Sequence, residues 1–279
     1  MAVRNAFTVD LEDWYHGIEL PRERWEQCED RLAVGTGRLL ALLAERGVRA
    51  TFFVLGVVAK RSPDLIRQIA DAGHEIGTHG WSHQFVYKLT PEQFTAELRD
   101  AVAAVEDASG CRVRGHRAPY FSITRDSLWA LDRLVAEGLQ YDSSIFPVRN
   151  YRYGIEDAPR EPYWVQSNGG RLLEIPMSTA RLLGRNRPVS GGAYFRIYPY
   201  WLTRALMRRC NAAGQAVVFY LHPWELDPLH PRLDLPRRVA LTHYANLGAT
   251  EPRLRRLLRD FEFGPLETIV DEAGHGSST

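Results

Sequence analysis

"NAFTVDLEDWYH" (residues 5–16) sets the apolar run Asn5–Leu11 directly against the carboxylates Asp10, Glu12 and Asp13. A run this short and apolar reads as a buried strand. Strand-like segments ending in polar groups recur along the chain. "HEIG" leads into His79 and His83, "RVRGH" into Arg117, "QYD" ends on Asp142, and "VVFYL" runs into His222. Five polar clusters therefore fall at the C-terminal ends of five expected strands. In parallel α/β barrels that face carries the active site, and scattered surface groups would not keep to one end. The H-x-x-x-H pair His79/His83 alone would read as two surface imidazoles; its place in this set lifts it above that.

Helical segments alternate with the strands. "TGRLLALLAERG" (36–47) spaces Leu39, Leu40, Leu42 and Leu43 helically and stops at Gly47. After the strand "RATFFVLG", Ser62 and Pro63 open a helix that ends at Gly73. "TPEQ" places Thr90 as a cap, Pro91 at the first helical position and Gln93 to close a capping box. Helices are expected near 124–136 and 200–213, strands at "RLLEIP" and "QAVVFYL" (215–221), and a last amphipathic helix at "EPRLRRLLRDF". This alternation predicts an α/β fold with a parallel sheet. Residues 1–279 read as one domain, with a loop insertion near 146–171 and a frayed tail from about 272.

Composition narrows the function classes. At 279 residues, 45% hydrophobic and 25% charged, the chain is that of an ordinary globular protein. A net charge of +1 leaves no electrostatic footprint for nucleic acid. No apolar run approaches the ~18 residues of a membrane span, and no secretory signal is evident, so a cytoplasmic location is expected. Cys28, Cys111 and Cys210 are odd in number and widely spaced, which suits reduced thiols.

The clustered groups fit one reaction. A carboxylate and two imidazoles make a three-ligand metal site with a position open for water. A second carboxylate can take a proton from that water, a histidine can protonate a leaving group, and an arginine can hold the base ionised. That is metal-assisted hydrolysis of an amide or ester. Aromatic residues flank the polar clusters, among them Trp14, Trp81, Tyr120 and Trp224, and suit the apolar faces of sugar rings.

"TVDLED", "HGWSH", "RAPY", "DSSIFP" and "YLHP" occur in the order and approximate spacing of the five motifs of the polysaccharide deacetylase family, the NodB-homology carbohydrate esterases. The chain resembles that family over about residues 5–225. "DLEDWYH", "RYGIEDAPR", "SGGAYFRIYPY" and "HPWELD" are similar to the subgroup encoded with exopolysaccharide synthesis loci and exosortase systems. The resemblance implies a single-domain distorted (β/α)7 barrel, one divalent metal, usually zinc, and removal of N-acetyl groups from a polysaccharide, an oligosaccharide or a lipid-linked precursor. It makes Asp10 the base, His79 and His83 metal ligands, Arg117 the tether of the base, and Tyr120 the residue whose backbone N–H helps bind the oxyanion. It makes Asp142 the residue orienting the acid, Leu221 a wall of the acetyl pocket, and His222 the acid; Trp224 would contact substrate. The family's usual pair of adjacent aspartates is broken here by Leu11. Strand alternation keeps Glu12 on the face of Asp10, whereas Asp13 reaches the site only if the strand has ended; both stand as candidates for the carboxylate ligand. Two alternatives are a hydrolase of a small cyclic amide on the same fold, against which the intact His pair argues, and an inactive carbohydrate-binding module, which would be expected to lose Asp10 or His222.

Overall fold

The computed structural model describes residues 3–167, 169–189 and 191–275. In chain order the strands are β1 (Asn5–Leu11), β2 (Thr51–Val54), β3 (Glu75–Thr78), β4 (Gly115–His116), β5 (Tyr141–Asp142), β6 (Tyr163–Ser167), β7 (Gly170–Glu174), β8 (Thr179–Leu182), β9 (Arg185–Pro188), β10 (Val218–Leu221) and β11 (Phe263–Gly264). The helices are α1 (Leu32–Glu45), α2 (Gly56–Arg61), α3 (Pro63–Asp71), α4 (Pro91–Ser109), α5 (Trp129–Ala136), α6 (Gly192–Ile197), α7 (Tyr200–Ala212), α8 (Arg237–Tyr244), α9 (Thr250–Asp260) and α10 (Glu267–His275).

Seven strands run parallel in the order β10-β1-β2-β3-β4-β5-β7, and β6 adds antiparallel to β7 at one edge. This is the distorted (β/α)7 barrel in an open form. Among the described residues no ladder joins β7 to β10; the Val218 N–H instead donates to Ser178 Oγ just beyond β7 (2.8 Å). β8 and β9 form a separate hairpin, and β11 pairs with the start of β1.

Every residue of β1 is buried, as expected for a strand covered on both faces. Its parity sorts the side chains. Phe7, Val9 and Leu11 face the main core with Leu39, Leu43, Phe52 and Leu221. Ala6 joins the inner cluster with Phe53, Tyr141 and Tyr220. Thr8 and Asp10 share this inner side, where both meet Arg117. β1 therefore carries a packing face and a chemical face, each set by a period of two.

The helical readings hold with small differences. Thr90 and Gln93 close a capping box at the start of α4. Ser62 stands at the start of α3, but its side chain makes no capping bond. The last third of the 146–171 stretch is not loop: β6 pairs along β7, and Trp164 is covered by Arg171 (4.1 Å from the ring centre). Beyond "EPRLRRLLRDF" the chain continues through β11 and α10 as far as His275; residues 276–279 of the expected tail lie outside the described residues. Among the described residues no helix is long and apolar enough to cross a membrane. Two close approaches demand glycine and bear on the site. A Cβ on Gly35 would lie 2.1 Å from the Pro223 carbonyl, so α1 packs against the backbone of the turn after β10. Gly191 has φ +87°, and a Cβ there would meet the Tyr220 ring at 2.2 Å.

Candidate active site and metal centre

Glu12, His79 and His83 converge just past the ends of β1 and β3. One ligand atom from each lies within 4.8 Å of the others, and all three residues are buried. The His79 Nδ1–H donates to the Arg117 carbonyl (2.8 Å), which leaves Nε2 bare, as metal-binding imidazoles require. Burial, and then the neighbouring His83, hold the His79 imidazole down to about 4 despite Asp10 and Glu12 nearby, so it is neutral near pH 7. Glu12 shows the reverse balance. Burial pushes its carboxyl up, but His83 and His222 outweigh burial and hold it well below the usual carboxylate range.

The His pair is not on a helix. The chain turns after β3 through Gly80 (φ +76°), and His83 itself takes a left-handed backbone (φ +58°). A non-glycine residue pays for that conformation, and such strain gathers at functional sites. His83 Nε2 lies 2.6 Å from Glu12 Oε2, yet the contact lacks hydrogen-bond geometry; Glu12 Oε2 and His83 Nδ1 are both buried without a partner. Buried polar atoms normally find partners. A cation among two imidazoles and a carboxylate would satisfy this set, and two nitrogen donors with one oxygen donor suit zinc.

Asp13 is not part of this cluster. The chain bends at the strand end, with the Glu12 N–H donating to the Asp10 carbonyl (3.0 Å). Asp13 Oδ1 accepts from the Trp14 N–H (2.8 Å), and Oδ2 accepts from the N–H groups of Arg31 (2.9 Å) and Leu32 (3.1 Å) at the start of α1. Burial pushes its carboxyl up to about 7, against the pull of those N–H bonds. Its work is to cap α1 from a distance.

Asp10 sits on the inner face beside the cluster. Its Oδ1 accepts from Arg117 Nη1 (2.9 Å). Arg117 is fully buried and also reaches Thr8 Oγ1 (2.7 Å), the Ser143 carbonyl (3.0 Å) and Ser143 Oγ (3.0 Å), with its guanidinium 4.4 Å from the Phe53 ring centre. A cation held at so many points fixes Asp10 in place and gives it a counter-charge.

His222 closes the opposite side. Its Nε2 lies 3.4 Å from Glu12 Oε1 and 3.9 Å from Asp10 Oδ2. Burial pulls the imidazole down, but Glu12, Glu225 and Asp10 push it up to about 9. The carboxylate that holds it is Glu225: Oε1 accepts from His222 Nδ1 (2.8 Å) and from the His222 backbone N–H (3.0 Å). Glu225 is buried, which raises its carboxyl, yet Arg196 and His222 bring it down to about 2. Arg196 binds Glu225 Oε2 and is itself held by the carbonyls of Thr242, His243 and Ala245.

Two expected residues are corrected by strand parity. Asp142 does not reach His222. Tyr141 on β5 and Ser143 just past it point inward, so Asp142 points outward, where it bonds His116 Nδ1 (2.7 Å) and Ser144 Oγ (2.7 Å) and lies beside Glu174. Leu221 likewise packs in the main core, and its neighbour Tyr220 lines the cleft instead. Tyr120 and Trp224 do line it. The Tyr120 ring stacks on Phe85 (4.2 Å) and meets His83 edge-on (4.3 Å), and Tyr120 and Phe121 take left-handed backbones (φ +56° and +53°). Trp224 stacks between His222 (5.3 Å) and His243 (4.2 Å), and its Nε1–H points at Glu12 Oε1 (3.4 Å). The resulting cleft, about 150 Å³, is lined by Asp10, Glu12, His79, His83 and His222 together with Arg152, Tyr153 and Tyr220. A larger cavity of about 670 Å³ lies under residues 22–30 and contains none of these five polar groups.

Glu225, Arg196, Arg152 and Tyr220 were not singled out from the sequence. Glu225 had a signal in its spacing: in His222-x-x-Glu225 the carboxylate three residues on reaches back to the His222 backbone N–H, as in a capping box. Arg196 had none, because it meets Glu225 only through the tertiary fold.

Fold and site together define an open (β/α)7 barrel with a candidate metal centre of two histidines and one carboxylate at the C-terminal ends of its strands. Residues 28–138 match the "Polysaccharide deacetylase" family model, and residues 143–271 match a "Domain of unknown function (DUF3473)". Over residues 28–138 the chain is thus similar to the polysaccharide deacetylase family. Among curated relatives it is similar to a peptidoglycan deacetylase-like protein of Gibberella zeae (34% identity, 40% of this chain, 33% of the relative). It is also similar to chitin deacetylase 1 of Saccharomyces cerevisiae (37%, 30% of this chain and 28% of the relative) and to the peptidoglycan deacetylase of Helicobacter pylori (31%, 40% and 37%). The matches thus span about a third of each relative's length. A putative polysaccharide deacetylase from Mycobacterium smegmatis shares the fold across 100% of this chain and 92% of its own (TM-score 0.70, 21% identity). So does a family 4 carbohydrate esterase pseudoenzyme from Bacillus anthracis (TM-score 0.50, 14% identity, 97% and 66%), so the fold by itself does not decide activity.

Proposed function

We propose that the protein is a metal-dependent hydrolase that removes N-acetyl groups from amino sugars of a polysaccharide, an oligosaccharide or a lipid-linked precursor. The observation carrying this reading is the convergence of Glu12, His79 and His83, with Asp10 and His222 on the same cleft of about 150 Å³. The names of the relatives, chitin and peptidoglycan deacetylases, support the substrate class.

Glu12, His79 and His83 would hold one divalent ion, most readily zinc, which supplies Lewis acidity toward the acetamide carbonyl and toward water. Asp10, held in place by Arg117, takes the proton from the attacking water. The backbone N–H of Tyr120 donates to the oxygen that becomes anionic. His222 Nε2 then gives a proton to the departing amine, a leaving group that cannot depart unprotonated. Glu225 accepts from Nδ1, fixes the tautomer and stabilises the imidazolium. Arg196 keeps Glu225 ionised in turn.

The test is acetate release from N-acetylated chito-oligosaccharides. Release that stops with a chelator and returns with zinc supports the reading. A zinc-loaded protein that binds these glycans and frees no acetate, on these or any other N-acetylated glycan tried, overturns it in favour of a binding module.

A further inference from the structure

The net charge of +1 divides unevenly along the chain. Residues 175–224 hold seven arginines and no aspartate or glutamate. Two of these are neutralised, Arg196 by Glu225 and Arg204 by Asp260. Among the described residues the other five, Arg181, Arg185, Arg187, Arg208 and Arg209, are exposed and form no ion pair. The first three belong to the β8–β9 hairpin, which stands apart from the main sheet.

The hairpin turns through Leu183 and Gly184, both with positive φ (+50° and +76°). A two-residue turn of this hand favours Asn-Gly, Asp-Gly or Gly-Gly. Leucine is strained there, and its side chain is 103% exposed, the most of any large apolar residue described. Neither turn geometry nor packing selects such a residue. Cross-strand pairing puts Arg185 and Arg187 on one face of the ribbon and Arg181 on the other, so cations surround the tip. Arg181 and Arg185 each stand two residues from Leu183, about 7 Å along a strand. The ribbon is held from behind: Asn186 Nδ2 donates to the carbonyls of Pro147 (2.9 Å) and Glu156 (3.3 Å), in the segment that also supplies Arg152 and Tyr153 to the cleft. Of the acids in that segment, Asp157 is taken up by Arg125, which leaves Glu156 as the carboxylate set against the three arginines. At the hairpin's base Arg160 and Glu161 both bond Gln215, one charge of each sign.

We propose that the β8–β9 hairpin is a docking tip for an anionic lipid surface. Leu183 enters the boundary between headgroups and acyl chains, while Arg181, Arg185 and Arg187 lie among the lipid phosphates. The separation of Leu183 from its flanking arginines fits the roughly 5–10 Å to which interfacial apolar groups sink. The leucine decides between anionic partners. Duplex nucleic acid would be met by the cations alone and gives an exposed leucine nothing to enter, whereas a membrane surface takes up both the apolar tip and the cations.

The experiment is sedimentation of the whole chain with vesicles of phosphatidylcholine, and with vesicles of equimolar phosphatidylcholine and phosphatidylglycerol, across a range of salt. Binding should require the anionic lipid and weaken as salt rises. Leu183→Asn places at the tip a residue that the turn favours, so the fold should be kept, which thermal unfolding checks. Its affinity for the anionic vesicles should fall roughly tenfold or more, the worth of burying one leucine. Arg185→Gln/Arg187→Gln should cost roughly thirtyfold. Arg237→Gln/Arg238→Gln, which removes two exposed arginines from α8, should cost far less. Absence of binding to the anionic vesicles, binding unmoved by Leu183→Asn, or equal losses in the two arginine pairs overturns the proposal. Duplex DNA bound as tightly as the vesicles at the same salt, and unmoved by Leu183→Asn, also overturns it and gives the hairpin to nucleic acid. No acetate release is read, so the result stands apart from the deacetylase reading.

Discussion

The two halves of the chain contribute to one site in different ways. Residues 5–142 bring Asp10, Glu12, His79, His83 and Arg117 from strand ends or the turns directly after them, each close in sequence to the segment that places it. Residues 143–271, the stretch that matches a domain of unknown function, bring His222 and the chain of groups behind it. There the placement is tertiary: α1 presses Gly35 against the 222–226 turn, and Arg196 arrives from α6, pinned by carbonyls at the end of α8. Ligands and base can thus be written into a motif, whereas the hold on an acid can migrate to whichever buried carboxylate the surrounding fold supplies. In this chain the carboxylate that meets His222 comes from the turn after β10, while Asp142 on β5 meets His116.

The sharpest way to break this comparison is at the metal. His79→Ala and His83→Ala should each remove bound zinc, about one equivalent in the parent protein, and abolish acetate release. Elemental analysis reads the first and the acetate assay the second. A full-occupancy ion in the double variant would dissolve the proposed centre. Next in size is Asp10→Asn. With the ligands untouched it should keep zinc while losing activity by roughly 10²–10⁴-fold, the usual worth of general-base help. Loss of zinc with the activity would instead make Asp10 a ligand.

The second half is tested by Glu225→Gln against Asp142→Asn. Glu225→Gln should lower amide cleavage by about 10–100-fold and spare an activated aryl ester, whose leaving group needs no proton. Asp142→Asn should alter stability through its bond to His116 and leave that amide-to-ester ratio unchanged. If Asp142→Asn moves the ratio and Glu225→Gln does not, the acid is held from β5 after all. The pH profile gives the same contrast. His222 is raised to about 9 in the metal-free site, above its unfolded value near 6.5. Its contribution to stability is therefore fully present below about pH 6.5 and lost as pH rises through 9. In chelator-treated protein the margin of the parent over His222→Ala should narrow between pH 6.5 and 9.5. A cation at Glu12 would pull the imidazole back down, so the loss should begin at lower pH in the zinc-loaded form.

How much of this was legible in the sequence follows from physical range. The parallel sheet, the Thr90 capping box and the His79/His83 placement rest on neighbours within a few residues, and the sequence carries them. Parity made Glu12 a candidate without separating it from Asp13; the bend at the strand end, with the Glu12 N–H on the Asp10 carbonyl, does that. The same parity, applied to β5 and β10, turns Asp142 and Leu221 away from the cleft; there the family pattern and the parity of this chain's own strands disagree. Tyr220 was available by the same reasoning, two residues before His222. Arg196 was not, since nothing in "YFRIYPY" announces a partner 29 residues later in sequence. The openness of the barrel was equally hidden, because a missing ladder between β7 and β10 leaves no local mark on either strand.

The smallest expected effect separates the two carboxylates that the sequence left level. Glu12→Gln should lose zinc, since it removes the only carboxylate in the cluster of ligand atoms. Asp13→Asn should keep it. Asp13 accepts three backbone N–H bonds with two oxygens, and an amide offers one oxygen and an NH2 that must face an N–H donor. At least one buried donor is then left unpaired, at a cost of about 1–3 kcal/mol. The variant should therefore unfold at lower urea with an unchanged denaturant slope, fray α1 first in hydrogen exchange, and cleave acetamide normally at temperatures where it is folded. Because α1 also presses on the turn bearing His222, loss of activity should appear only together with loss of α1 protection. Loss of zinc in folded Asp13→Asn, with zinc retained in Glu12→Gln, would reverse the assignment and place the ligand on the residue that here caps a helix.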